Sequence, residues 1–225
     1  MIRYVEYSDI KIDRSAVCRQ IGYSPDIEPS PRIAELIDEY LENASHLVVP
    51  TYWSVIKDIE RVNESSAVIE GSIVVDSRVI ADLLRLSSKV AFFISTIGPH
   101  LENMASKLAD DAMIVQSYLL DAIGSCLAES LAGFVECEIA SYGSSLGLSI
   151  SRRFSPGYCD WDISQQEIVF RILRDEELEV EPSGNHLMTP QKSVSGIIGI
   201  GTIESEIGDY NPCKTCNKHS CIGRR

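Results

Sequence analysis

The chain has 225 residues, 44% hydrophobic and 24% charged, the composition of an ordinary globular chain long enough to bury a core. A formal net charge of −13 argues against general binding along a nucleic-acid phosphate backbone and suits a cationic ligand or a partner with a basic patch. The opening MIRYVEYSDIKID has no apolar signal core and no run approaches the roughly 18 apolar residues of a membrane span, so the chain reads as cytoplasmic, with its seven cysteines expected as buried thiols or metal ligands.

Residues 1–29 read as an irregular arm with short extended pieces. Ser30-Pro31 is an N-cap followed by proline in a first turn, and Ile33, Leu36, Ile37, Tyr40 and Leu41 continue at helical spacing. SSAVIEGSIVVDS reads as a strand with Gly71 at a bulge, SRVIADLLRLS as a short helix, and VAFFIST as a buried strand ending at Gly98-Pro99, where a helix begins. The strongest local signal spans residues 111–143. There Val115, Leu119, Ile123, Leu127, Leu131 and Phe134 hold one face of a long central helix. Ala122, Gly124, Ser125 and Ala128 on another face permit a close approach, most simply by a packed helix. A short strand (LSISRRF), a turn, a helix over 164–173 and a strand pair from LEVEP to LMTPQKSVSGIIGIGTI complete the chain. Strands and helices mix without regular alternation, which predicts an α+β fold.

The turn RRFSPGYCDW, residues 152–161, concentrates chemistry. Strand alternation sends Arg152 and Arg153 to opposite faces, so one points inward, where a guanidinium can grip a carboxylate at two points. Gly157 permits backbone angles that other residues avoid and bares the main chain to a ligand. Tyr158 and Trp161 suit a flat ring or a cation, and Asp160 and Asp162 a positive group. Ser164 resembles the N-cap of the following helix. These residues fit a small zwitterion with an aromatic ring and a positive centre. An Arg–Asp pair bracing a turn, with its aromatics in the core, accounts for them equally.

RFSPGY and, after an intervening helix and short strand, MTPQKSVSG together resemble the activation (reactivation) domain of cobalamin-dependent methionine synthase, in its stand-alone form. LLDAIGS and STIGPHLE are similar to stand-alone members as well, and the resemblance covers roughly residues 65–203. It implies that domain's twisted, mainly antiparallel sheet with a long central helix and flanking helices. It divides the chain into an N-terminal arm and helix (1–65), an activation-domain-like core (66–204) and a Cys-rich tail (205–225). It implies a protein that binds S-adenosylmethionine and reactivates a corrinoid methyltransferase or methionine synthase subunit, with no nucleic acid or membrane as partner. Cobalt that has slipped to Co(II) is reduced by one electron, from a flavodoxin- or ferredoxin-type reductant, and trapped by the sulfonium methyl as methylcobalamin. Irreversible methyl transfer pulls the uphill reduction forward, and the protein contributes positioning.

Residue by residue, the resemblance makes Arg153 the ligand-gripping arginine of R-x-x-x-G-Y and Ser155 the residue whose backbone meets the ligand. Gly157 and Tyr158 are its Gly-Tyr, and Ser195 and Gly196 lie beside the same site. Two departures stand out: Ile197, Ile198 and Gly199 occupy positions where the synthase has aromatics, and the family's N-terminal acidic ligand-binding residue has no clear counterpart, with Glu70, Asp121 and Glu129 as candidates. His100 and His186 are candidates for neighbours of the corrinoid, although lone histidines more often cap or lie at the surface. The contrasting expectation is a non-catalytic corrinoid-protein docking or electron-transfer module with a metal or iron–sulfur tail.

The C-terminus reads NPCKTCNKHSCIGRR. Cys213 and Cys216 have metal-ligand spacing, and with Cys221 they predict a zinc site or an iron–sulfur cluster whose fourth ligand is His219, Cys159 or an outside group. Free thiols on a tail are the alternative. Lys214, Lys218, Arg224 and Arg225 give this end local positive charge, suited to an acidic electron carrier.

Overall fold

The computed structural model describes residues 2–24, 26–174 and 176–202. In chain order, β1 (Arg3–Tyr4) leads to α1 (Arg14–Gln20), α2 (Pro31–Asn43), β2 (Thr51–Val62), β3 (Ser66–Ile69), β4 (Ile73–Asp76), α3 (Arg78–Leu84) and β5 (Ser87–Thr96). Then follow α4 (His100–Asp110), α5 (Ile114–Ser145), β6 (Ser149–Ile150), α6 (Gln166–Ile172), β7 (Glu181–Pro182), β8 (Met188–Thr189) and β9 (Ser193–Gly201). The main sheet runs β4-β3-β2-β5-β9-β6, with β1 added to β2, and every pairing is antiparallel. β7 and β8 form a separate ribbon.

β5 lies at the centre because VAFFI is apolar on both faces. Ala91 and Phe93 enter the core beneath α1, α2, α4 and α5, while Val90, Phe92 and Ile94 enter a second core with α3, α6 and Trp161. α5 serves the first core. Leu119, Ile123, Leu127 and Leu131 are buried as the spacing predicts, whereas Val115, at the start of that row, is exposed. By length and composition alone α5 is long and apolar enough to cross a membrane, and 56% of its apolar window is buried inside the chain. A core helix wrapped by α1, α2, α4 and the sheet is apolar nearly all round for the same reason a membrane helix is. Gly124 is the tight packing point: a Cβ there would meet Leu101 Cδ2 at 2.5 Å and the Lys192 stem at 3.3 Å.

Several expectations change. The arm contains α1, with Asp13 accepting the Ala16 N–H at its N-cap. SSAVIEGSIVVDS is a hairpin, not one strand: Gly71 and Ser72 take left-handed angles (φ 81° and 60°) and fold β4 back on β3. The segment 1–65 holds more than an arm and a helix, because β2 pairs with β5 from Thr51 to Asp58 in the middle of the core sheet. A boundary at 65/66 therefore falls inside the sheet. Pairing decides this; the half-polar sequence TYWSVIKDIERV carries little strand signal by itself.

Candidate functional site

The RRFSPGY segment is positioned by the free edge of β9. Ser151 N–H donates to Gly199 O (2.8 Å), Phe154 N–H to Ile197 O (3.0 Å) and Ile197 N–H to Phe154 O (2.9 Å). The bend thus runs antiparallel to SVSGIIGIG, and the two motifs lie side by side. Gly196 permits the approach: a Cβ there would sit 2.7 Å from Phe154 O and 3.0 Å from the Phe93 ring. Since Ile197 uses its outer N–H and C=O for Phe154, alternation turns those of Ser195 to the same edge. They have no backbone partner among the described residues. The Ser195 hydroxyl faces the other layer, donating to Gln166 Oε1 (3.4 Å) on α6.

Alternation across the bend is as expected. Arg152 is exposed, and Arg153, its side chain 12% exposed, reaches beneath α5. Its Nη2 donates to Glu129 Oε2 at 2.9 Å, its Nε lies 3.8 Å from Glu136 Oε2, and its backbone N–H donates to Glu136 Oε1 (3.3 Å). The guanidinium expected to meet a ligand carboxylate therefore already faces two carboxylates of its own chain. Of the three acidic candidates, Glu129 is the one at Arg153. Glu70 pairs with Lys57 (3.4 Å), and Asp121 with Lys192 (2.7 Å). Glu136 and Lys192 were not expected. Two glutamates seven apart on one helix face, and a lysine just before SVSG, were the available signals.

The rest of the bend divides between layers. Gly157 takes φ 92° and donates its N–H to Trp161 O (2.8 Å), so the turn itself requires glycine. Ser155 is half-buried, and Tyr158 is exposed and edge-on to Phe154 at 6.2 Å. Trp161 is not a ligand-stacking ring: it is fully buried, stacked on Phe154 at 6.4 Å within the α3–α6 core. Asp160 is not free for a cation either. It accepts from Ser77 Oγ (2.7 Å) and from the Arg78 (2.8 Å) and Val79 (3.3 Å) N–H groups at the start of α3. Asp162 accepts from Ser164 N–H (2.8 Å) and is the cap that Ser164 was expected to be. His100 opens α4 at the surface; the His186 ring lies 3.3 Å from Glu167, and its backbone C=O accepts from Gln166 Nε2 (3.0 Å).

Burial pushes the Asp160 carboxyl up, but the hydrogen bonds from Ser77, Arg78 and Val79 outweigh it and hold the group below its ordinary range. A carboxyl with a depressed folded pKa adds stability above its unfolded value, near 3.9, and loses it as pH falls through the folded value. Asp160→Asn is expected to cost about 1 kcal/mol at neutral pH, by analogy with a lost helix cap. The gap between the two proteins should close as pH falls through the depressed pKa. Urea midpoints across that range check this, and a gap constant down to the lowest pH contradicts it.

Cys213, Cys216 and Cys221 lie outside the described residues, as does His219; Cys159 is exposed on the bend. Among the described residues no three metal-ligating side chains are grouped to hold an ion.

No protein-family model matches the chain, and no curated protein sequence matches it. Among solved structures, the chain is similar to the crystal structure of the MetH reactivation domain bound to AdoHcy, with a TM-score of 0.69 and 15% identity over 88% of this chain and 77% of that one. The antiparallel sheet and the long α5 are common to that likeness, and the fold of this chain is that of the MetH reactivation domain.

Proposed function

We propose that the chain binds S-adenosylmethionine between the bend and α5 and presents its methyl group to a corrinoid carried by a partner methyltransferase, as a stand-alone reactivation protein. The observation that carries this reading is the pairing of the bend with β9, in the fold of a domain crystallised with AdoHcy, which sets Arg153 and Glu129 together beneath α5. An amino-acid tail carries both charges. Its carboxylate suits the Arg153 fork and its ammonium suits Glu129, with Glu136 holding the guanidinium in place when the tail competes for it. The half-buried Ser155 main chain supplies neutral polar contacts.

The partner's reduced corrinoid supplies the nucleophile, which takes the methyl and leaves S-adenosylhomocysteine, with the reducing electron coming from a flavodoxin- or ferredoxin-type donor. This chain's contribution is orientation of the sulfonium. Calorimetric titration with S-adenosylmethionine and S-adenosylhomocysteine tests binding, and remethylation of a cob(II)alamin-loaded methionine synthase lacking its own reactivation domain tests the outcome. Saturable binding and restored methylcobalamin are expected. No binding at millimolar ligand retires the methyl-donor reading and leaves the docking or electron-transfer module, to which the internal pairing of Arg153 also lends itself.

A further inference from the structure

The Arg153–Glu129 pair has a counterpart two turns away on the same face of α5. Asp121, its carboxylate 53% exposed, lies 2.7 Å from Nζ of Lys192, whose side chain is 11% exposed. Glu129 is 55% exposed above a guanidinium that is 12% exposed. Each pair thus has a cation packed underneath and a carboxylate turned outward. Lys192 is fixed on every side. Its Nζ also donates to Ser125 Oγ (2.9 Å), its backbone N–H to Glu102 Oε2 (3.2 Å), and its stem crosses Gly124. Eight residues of helix separate the two carboxylates by about 12 Å. One turn beyond Asp121, Tyr118 is 56% exposed on the same face. Lys192 directly precedes β9, the strand to which the bend is joined at Phe154 and Ile197.

We infer that this stretch is the nucleoside half of the ligand site, with Asp121 accepting hydrogen bonds from a ribose diol and Tyr118 lying against the purine. A carboxylate is the natural acceptor for vicinal hydroxyls, as where an acidic side chain holds a nucleotide ribose. Lys192 holds the Asp121 carboxylate in place through the 2.7 Å ion pair, so that Lys192 is a positioning residue and not a contact. An exposed tyrosine ring offers a face to a flat heterocycle with little rotamer entropy to lose. The inference rests on the proposed binding of S-adenosylmethionine and assigns the end of that ligand which Arg153 does not touch.

The test uses calorimetric titration of the full chain with S-adenosylhomocysteine, 5′-methylthioadenosine and the 2′-deoxy analogue of the latter. Unaltered protein should prefer the ribo form over the deoxy form about tenfold or more, the value of a hydrogen bond to a charged group. Asp121→Asn and Asp121→Ala should erase that preference, and Tyr118→Ala should weaken both forms while Tyr118→Phe does not. Arg153→Lys should weaken S-adenosylhomocysteine and leave methylthioadenosine unchanged, separating the two halves. Unchanged deoxy discrimination in both Asp121 variants, at unchanged melting temperature, overturns the inference and leaves the binding reading standing. No binding of S-adenosylhomocysteine to the unaltered chain overturns both.

Discussion

Arg153→Met is expected to weaken S-adenosylhomocysteine binding by about 2–5 kcal/mol, roughly 30-fold to a few thousandfold. The side chain is nearly buried, and a ligand carboxylate that loses its fork there finds Glu129 and Glu136 in its place, so attraction becomes repulsion. Fold stability should change by only about 1 kcal/mol, because both glutamates are exposed enough to recover water. Arg153→Lys keeps the charge but not the planar fork and should fall between. Affinity at the unaltered value in Arg153→Met, measured by calorimetry on folded protein, contradicts the assignment of this arginine.

Trp161→Ala is expected to destabilise the fold by about 3–5 kcal/mol, the range for emptying a buried tryptophan site. For a chain of this size, that is a drop in Tm of about 6–20 °C. The ring is fully buried against Phe154 in the core that contains Trp53, Phe92 and Val169. Its indole N–H has no hydrogen-bond partner among the described residues. Trp161→Phe therefore breaks no hydrogen bond and should cost far less than the alanine change, with ligand affinity intact. A ring that stacked on ligand would behave in the opposite way, losing affinity at constant Tm. Thermal melts of both variants, paired with titrations, distinguish the two roles.

Periodicity read well where one environment acts along a whole element. The apolar run of β5, the row from Leu119 to Leu131 and the Pro31 start of α2 are each local signals with a local cause. β2 was missed because its alternation is diluted by Lys57, Asp58, Glu60 and Arg61, which become intelligible only when β5 and β3 lie alongside. α1 was missed because seven residues carry too few apolar positions to show a period. In the site, the inward turn of Arg153 follows from strand alternation alone. Its carboxylate neighbours do not, since they depend on where α5 passes over the bend. Trp161 and Asp160 show the converse: residue type suggested ligand contacts, and tertiary context made one a core ring and the other an anchor for α3. The paired-motif resemblance in RFSPGY and SVSG led to the fold because it captured a long-range contact that no single window contains.

The bend straddles the edge of the sheet like a saddle. Arg153 drops to the α5 side, while Phe154, Asp160 and Trp161 drop to the α3–α6 side. The bend cannot shift as a unit without disturbing atoms in both layers. The conformational entropy of ordering the Arg153 side chain is therefore lost when the chain folds. The placement of Arg153 is consequently coupled to the integrity of α3, an element on the far side of the sheet.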